Sequence, residues 1–184
     1  MLVRHGETEW SASGRHTGTT DIELAPTGRE QARALAERLD GGRFDAVLVS
    51  PLVRARETCS LAGFDSSAVV VEQLREWDYG LYEGLTTAEI RRERPGWLLF
   101  ADGCPGGENA DQVGRRADAV IARLSSSPGV ERALLFAHGH ILRVLTARWL
   151  GLTARAGSVL ALSPGTVSTL GWEHENAVIV HWNS

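Results

Sequence analysis

The chain has no lysine, so all 19 of its cationic side chains are arginines. Acidic residues outnumber them, and the formal net charge is −4. A mildly acidic balance argues against a broad nucleic-acid surface, although it leaves room for a small basic pocket. We therefore expect no nucleic-acid partner.

Cysteine is almost as scarce. Cys59 and Cys104 form neither a CxxC motif nor the spacing of metal ligands, which predicts two free thiols in a reducing, cytoplasmic compartment. An arginine six residues after the cysteine would be expected of a cysteine-dependent phosphatase, but Asp65 and Ala110 occupy those positions. This argues against that class of enzyme.

Long hydrophobic runs are missing as well. No apolar segment approaches the ~20 residues that a membrane helix needs, and the chain opens into a predicted strand rather than a signal peptide. A length of 184 residues with 43% hydrophobic and 23% charged residues is typical of one globular domain. We expect a single domain over 1–184 that is not associated with membranes.

Strand and helix patterns alternate along most of the chain. Short apolar runs predict four buried strands, at 2–3, 44–49, 68–71 and 132–137. This alternation predicts an α/β fold, a three-layer αβα sandwich with a mostly parallel central sheet. Two alternating runs, 166–172 and 177–182, predict a C-terminal antiparallel hairpin. Its edge strand could pair in a homodimer.

Two predicted helices begin at recognisable signals. Segment 27–30 reads as a capping box, and the glycine pair 41–42 would end that helix. Ser50 followed by Pro51 predicts a cap and a first helical position. Arg54 then falls in the first helical turn, from which its side chain could reach back towards the strand end. A merely solvated arginine is the alternative.

The first strand runs into an Arg4-His5-Gly6 turn. A guanidinium offers a planar fork of donors suited to phosphate or carboxylate, and a neutral imidazole can act as a nucleophile. Gly6 allows a sharp turn close to a ligand. The tripeptide could be a chance occurrence, but a similar turn, Ala-His-Gly-His, stands at 137–140.

Candidate functional residues follow different predicted strands. His5, Arg54, Glu76 and His138 each come after one of them. A parallel sheet gathers its strand ends at one edge, where α/β proteins bind ligands. The sequence therefore predicts one pocket that holds two histidines, two arginines and a carboxylate.

Several motifs together resemble the histidine phosphatase superfamily, also called phosphoglycerate-mutase-like. They are Leu-Val-Arg-His-Gly-Glu-Thr at 2–8, Ser-Pro-Leu-x-Arg-Ala at 50–55, Glu76 before the Tyr-Gly and Glu-Gly pairs of 79–84, and Ala-His-Gly-His at 137–140. They cover nearly the whole chain and stand in the family's order. The stretches around Glu76 and around Cys104 are similar to a subgroup of acid phosphatases and sugar-bisphosphatases.

The resemblance implies catalytic roles. His5 would be the nucleophile that forms a phosphohistidine, and Glu76 would protonate the leaving oxygen and then take a proton from water. Arg4, Arg54 and His138 would clamp the phosphoryl oxygens and stabilise their charge. No metal and no cofactor would be needed, since the arginines supply the positive charge.

The resemblance also implies substrate contacts beyond this catalytic set. Thr17 and Gly18 match a hydroxyl–glycine pair that contacts substrate phosphate in the family. The expected contacts also include Ser11, which stands where mutases usually carry asparagine, and Gly139, which follows the second histidine. Tyr79 is expected to wall the sugar site rather than fill the core.

The predicted activity is hydrolysis of small phosphorylated metabolites, above all sugar phosphates. A cofactor-dependent phosphoglycerate mutase is the first alternative. It is disfavoured because the segment between Glu76 and His138 is short and lacks lysine, which leaves a phosphohistidine open to water. A catalytically silent phospholigand-binding module is the second alternative.

A metal-binding protein is a further alternative, from another class. His138 and His140 form a His-x-His motif that His5 and His16 could join. Arg4 and Arg54 would repel a cation, so we expect no metal site. His140 is assigned a supporting position at the start of its helix.

Overall fold

The computed structural model of the protein describes residues 1–39 and 42–184, and its core is a six-stranded sheet. The strands are β1 (Leu2–Arg4), β2 (Ala46–Val49), β3 (Ala68–Val70), β4 (Ala133–Ala137), β5 (Val167–Glu173) and β6 (Asn176–His181). The helices are α1 (Glu9–Ala12), α2 (Pro26–Leu39), α3 (Val53–Leu61), α4 (Thr87–Glu93), α5 (Leu99–Asp102), α6 (Ala110–Ser125) and α7 (Gly139–Trp149). None of these helices is long and apolar enough to span a membrane.

The sheet order is β3-β2-β4-β1-β5-β6. Strands β1, β2, β3 and β4 pair in parallel, whereas β5 runs antiparallel to β1 and to β6. The predicted mostly parallel sheet with a C-terminal hairpin is therefore confirmed. The hairpin leaves β6 at one edge and the short β3 at the other.

Helices cover both faces of the sheet, because side chains alternate between its faces along each strand. Leu2 of β1 packs with residues of α6 and α7, whereas its neighbour Val3 packs with residues of α2 and α3. Leu135 and Phe136 of β4 likewise pack on opposite faces of the sheet. The three-layer sandwich is confirmed, with one apolar core on each face.

Two predicted helix starts were wrong. Helix α2 begins at Pro26, and the Thr27 hydroxyl donates to Glu7 instead of capping the helix. Helix α3 begins at Val53, whose N–H donates to Asp21 Oδ1 at 2.7 Å. In both cases a contact distant in sequence replaces the local cap. The glycine pair 41–42 was predicted to end α2, and Gly41 of that pair lies outside the described residues.

The Arg4-His5-Gly6 turn needs its glycine for a reason the sequence did not indicate. A Cβ on Gly6 would lie 2.2 Å from the carbonyl oxygen of Gly28, and a Cβ on Gly28 would lie 2.0 Å from the carbonyl oxygen of Glu7. Two backbones thus approach each other at positions that only glycine can occupy. Close packing against α2 fixes the turn that carries His5.

Candidate active site

The register of the parallel strands brings the functional residues together. Arg4 lies opposite Ala137, and Val49 lies opposite Phe136. The next residues, His5 and Ser50, donate their backbone N–H groups to the β4 carbonyls of Ala137 and Phe136, both on the strand that ends just before His138. Three strand ends thus place three polar side chains side by side at one edge of the sheet.

A pocket of about 290 Å³ opens at this edge. It is lined by Arg4, His5, Ser11, Gly14, Arg15, His16, Thr17, Glu76, Tyr79, Thr87, Gly139, His140, Arg143 and Leu162. Almost all of these residues are polar or glycine, and the volume suits a small polar metabolite. We call this space the pocket from here on.

His5 is held in the form that a nucleophile requires. Its Nδ1 lies 2.7 Å from the carbonyl oxygen of Gly6. A carbonyl can only accept, so Nδ1 carries the proton and the lone pair remains on Nε2. Burial, followed by the positive charges of Arg54 and Arg4, holds the pKa of His5 well below its usual value. The ring therefore stays neutral.

Arg4 offers an unused donor beside the nucleophile. One guanidinium nitrogen donates to the carbonyl of Leu162, but the buried Nε has no hydrogen-bond partner among the described residues. The N–H of Gly139, which also lines the pocket, has no partner there either. A Cβ on Gly139 would lie 3.3 Å from the Arg4 guanidinium carbon. Because residue 139 is a glycine, the guanidinium can lie against the N-terminus of α7. The guanidinium and the helix N-terminus both favour the binding of an anion.

Arg54 and His138 lie behind the residues that line the pocket. Both are fully buried, and neither lines the pocket. The Nε of Arg54 donates to His138 Nδ1 at 3.1 Å, and His138 Nε2 lies 2.7 Å from the Ser50 hydroxyl. The rings of His138 and His5 stand 5.1 Å apart.

The other donors of Arg54 bind the backbone of the polar loop before α2. They reach the carbonyls of Thr17, Gly18 and Thr20 at 3.0–3.2 Å. Neither Arg4 nor Arg54 forms an ion pair within 4.0 Å of a carboxylate in residues 1–39 and 42–184. Two buried positive charges without a counter-ion are costly to maintain unless an anion joins them.

Among residues 1–39 and 42–184, Glu76 is the one carboxylate that lines the pocket. Its oxygens accept the backbone N–H groups of Trp77, His140 and Ile141 at 2.9–3.0 Å. Burial alone would raise the pKa of this carboxyl, but the hydrogen bonds and the nearby His140 hold it well below its usual value. Glu76 is therefore ionised, which suits a base better than an acid.

An ion pair fixes the loop that carries Glu76. Arg116 of α6 binds Glu108 at 2.7 and 2.8 Å and donates to the carbonyls of Gln73, Arg75 and Glu76. The other end of this loop is held by Asp78, whose N–H donates to Glu108 at 2.9 Å. The loop around Glu76 is thus tied to α6 at one end and to Glu108, just before α6, at the other.

The remaining predicted contacts differ in position. Ser11 and Thr17 line the pocket, as does the buried Tyr79. Gly18 does not line it, and its N–H donates to Glu83 at 2.8 and 3.0 Å. Their contacts with substrate stay predictions. Trp77, which neighbours Glu76 in the chain, is fully buried in the core.

Sequence reasoning did not assign several polar residues of this region to the catalytic or substrate-binding set. They are Arg15, His16, Ser50, Thr87 and Arg143. Ser50 was interpreted only as a helix cap, and His140 was assigned only a supporting position. Among residues 1–39 and 42–184, no cluster of three or more histidine, cysteine or acidic side chains is placed to hold a metal ion.

A family model described as histidine phosphatase superfamily (branch 1) matches residues 1–184. The chain belongs to this superfamily. It is 42% identical over 176 residues to an acid phosphatase of Mycobacterium tuberculosis, covering 95% of this chain and 86% of the relative. It is 38% identical over 183 residues to a sedoheptulose 1,7-bisphosphatase of Saccharomyces cerevisiae, covering 83% and 67%.

The fold of this histidine phosphatase also has solved counterparts. The structure of an open reading frame product of M. tuberculosis superposes with a TM-score of 0.94 at 40% sequence identity. The alignment covers 99% of this chain and 95% of the other. The resemblance drawn from the motifs is therefore confirmed over the whole chain.

Proposed function

We propose that this protein is a metal-independent phosphomonoesterase that hydrolyses small phosphorylated metabolites, sugar phosphates above all, through a phosphohistidine on His5. The observation that carries the proposal is the neutral His5 ring with its lone pair on Nε2, beside a buried guanidinium donor of Arg4 that has no partner. A phosphoryl group supplies both the electrophile that this ring attacks and the anion that the arginine needs.

In the first step, Nε2 of His5 attacks phosphorus and the bond to the leaving oxygen breaks. The leaving oxygen takes up a proton in the pocket, where the resemblance makes Glu76 the donor, and the second step returns that proton. The phosphoryl oxygens accept from Arg4 Nε and from the N–H of Gly139. Arg54 and His138 act from behind the ring: Arg54 keeps His5 neutral before attack and adds positive charge near the transferring group. Direct contact of Arg54 or His138 with phosphate stays a prediction.

In the second step, water attacks the phosphohistidine and the nitrogen–phosphorus bond breaks. The carboxylate of Glu76 is in the form that accepts the proton of this water. It lies in the same pocket as His5. Inorganic phosphate leaves, and His5 returns to its neutral state.

The pocket wall and the relatives support a sugar phosphate as substrate. Arg15, His16, Thr87 and Arg143 line the pocket and can bond hydroxyl groups. One relative is a sedoheptulose 1,7-bisphosphatase. We expect a screen of phosphorylated metabolites, with chelator present and released phosphate as readout, to show turnover of sugar phosphates above that of nucleotides.

Two results of that screen would contradict the proposal. Loss of activity on chelation would implicate a metal. Interconversion of phosphoglycerate isomers without phosphate release would favour the mutase alternative instead.

The protonation of His5 gives an independent prediction. An imidazole with its ordinary pKa of 6.5 would be mostly protonated at about pH 5.5. Because burial and two arginines lower the pKa of His5, we expect its ring to stay neutral there. The His5 ring signals in an NMR titration, assigned by their loss in His5→Ala, should not move between about pH 7.5 and about pH 5.5. A titration midpoint near 6.5 would contradict the geometry described for the site.

Three further expectations have supporting features but stay predictions. A homodimer would use β6, the strand at one edge of the sheet. A cytoplasmic location agrees with the free thiols of Cys59 and Cys104. The absence of a nucleic-acid partner rests on the net charge alone.

A further inference from the structure

His140 lies in the first turn of α7, two residues beyond His138. Its ring packs among the rings of Trp77, Tyr79 and Phe100, with centroids 5.6–6.3 Å away. Its side chain nevertheless keeps 21% of its surface exposed, and it lines the pocket together with His5 and Glu76. Packing thus fixes the ring while part of it stays open to a substrate.

The two ring nitrogens of His140 have different surroundings. Nδ1 lies 2.6 Å from the hydroxyl of Tyr79 and 3.7 Å from Oε2 of Glu76. Nε2 has no hydrogen-bond partner in residues 1–39 and 42–184, and it is not fully buried. Tyr79 and Glu76 therefore hold one edge of the ring, and Nε2 is left for a ligand.

Glu76 by itself does not explain how the leaving group is protonated. Three backbone N–H groups bind its two oxygens and favour the carboxylate. An alkoxide leaving from a sugar needs a proton in the transition state. A proton carrier next to Glu76, with a free position towards the pocket, would satisfy that need.

We propose that His140 is a further catalytic residue, which carries the proton for the leaving group with Glu76 as its counter-ion and Tyr79 as its anchor. The proposal rests on the proposed function, because it assigns a donor within the same reaction. It changes the role of Glu76 in the first step from sole acid to partner of the acid.

The proton balance closes over the two steps. As the phosphorus–oxygen bond breaks, imidazolium Nε2–H gives its proton to the leaving oxygen, and the second ring proton stays on Nδ1 between Tyr79 and Glu76. When water attacks the phosphohistidine, its oxygen bonds to phosphorus and Glu76 accepts its proton, which then returns through the pocket to Nε2 of His140. The imidazolium is restored, and His5 leaves as the neutral ring.

The charges around His140 set the direction of its pH dependence. Burial lowers its pKa, and Arg143 and Arg4 act in the same sense, whereas Glu76 opposes them. The ring of His16 lies 6.2 Å away, and its own pKa is lowered to about 4, so it adds no charge near neutrality. Tyr79 stays a neutral phenol because burial raises its pKa. The imidazolium is therefore populated on the acid side, and hydrolysis of alkyl phosphates should accelerate as the pH falls below 6.5.

The test compares His140→Gln with His181→Gln, a matched change on the exposed edge strand β6. Glutamine can donate a hydrogen bond but cannot titrate. We expect His140→Gln to lose about 100-fold or more in kcat on glycerol phosphate, within the range of general acid catalysis. The loss on p-nitrophenyl phosphate, whose leaving group needs no proton, should be under about tenfold. The acceleration towards acid pH should disappear for glycerol phosphate.

Equal losses on both substrates, or an unchanged pH profile, would overturn the proposal and leave His140 a packing role. Tyr79→Phe covers the case in which His140→Gln does not fold. It should lose about 2- to 10-fold on glycerol phosphate only, the contribution of one hydrogen bond. If the wild type forms no phosphoenzyme, the proposed function itself is refuted. If the wild type forms one, but His140→Gln and Tyr79→Phe keep wild-type activity on glycerol phosphate, only this inference is refuted.

Discussion

Turnover is expected to vanish when His5 is replaced by alanine. His5 is the one proposed nucleophile. His138, whose ring stands 5.1 Å from it, cannot replace it because Arg54 and Ser50 engage both of its ring nitrogens. Since covalent catalysis divides one difficult step into two easier ones, its removal leaves only binding and charge stabilisation. Steady-state phosphate release from the preferred sugar phosphate measures the loss.

The control for this loss is His181→Ala, which removes an exposed imidazole from β6. We expect it to keep wild-type activity. Thermal unfolding of both variants checks that the fold survives. Retention of more than a few per cent of the wild-type rate by His5→Ala would remove His5 from the nucleophile role.

Replacing Glu76 by glutamine should have the second largest effect, and the size of the effect should depend on the leaving group. The carboxylate accepts the proton of water in the second step and is the counter-ion of the proton carrier in the first. The penalty on a sugar phosphate should therefore approach the ~10²–10⁴ that acid–base catalysis contributes. A nitrophenolate leaves without a proton, and the first step on nitrophenyl phosphate should therefore slow much less. Burst kinetics on the two substrates separate the steps.

Glu175→Gln, on the exposed turn between β5 and β6, provides the matched control. The phosphoenzyme of Glu76→Gln should also persist longer than that of the wild type, because water loses its base. Equal losses on both substrates, when transfer to the enzyme limits the rate, would show that Glu76 takes no part in proton transfer to the leaving oxygen. Glu83 is a poor replacement, since its carboxylate binds the N–H groups of Gly18 and Thr20.

The convergence of His5, Glu76 and His138 could be predicted because it depends on strand order and direction alone. Apolar runs followed by polar turns locate strand ends, and parallel pairing then brings those ends to one edge. Family motifs supplied the chemical roles. Neither kind of information needs the position of any side chain.

What the sequence could not supply depends on contacts between distant residues. Ser50 was interpreted as a helix cap, but its hydroxyl binds His138 across two strands. The link between Tyr79 and His140 joins residues 61 positions apart. The burial of Arg54 follows from a loop that wraps around its guanidinium. Periodicity describes only near neighbours, so none of these contacts leaves a local signal.

The central claim, a phosphoryl group carried on His5, is tested most directly by trapping the intermediate. Wild-type enzyme is mixed with a labelled phosphoester, quenched in base and digested, and the peptides are analysed by mass spectrometry. We predict a base-stable, acid-labile phosphate on the peptide that contains His5, and none in His5→Ala. A phosphate on Ser50, on His138 or on a cysteine, or hydrolysis without any labelled protein under single-turnover conditions, would contradict the proposal.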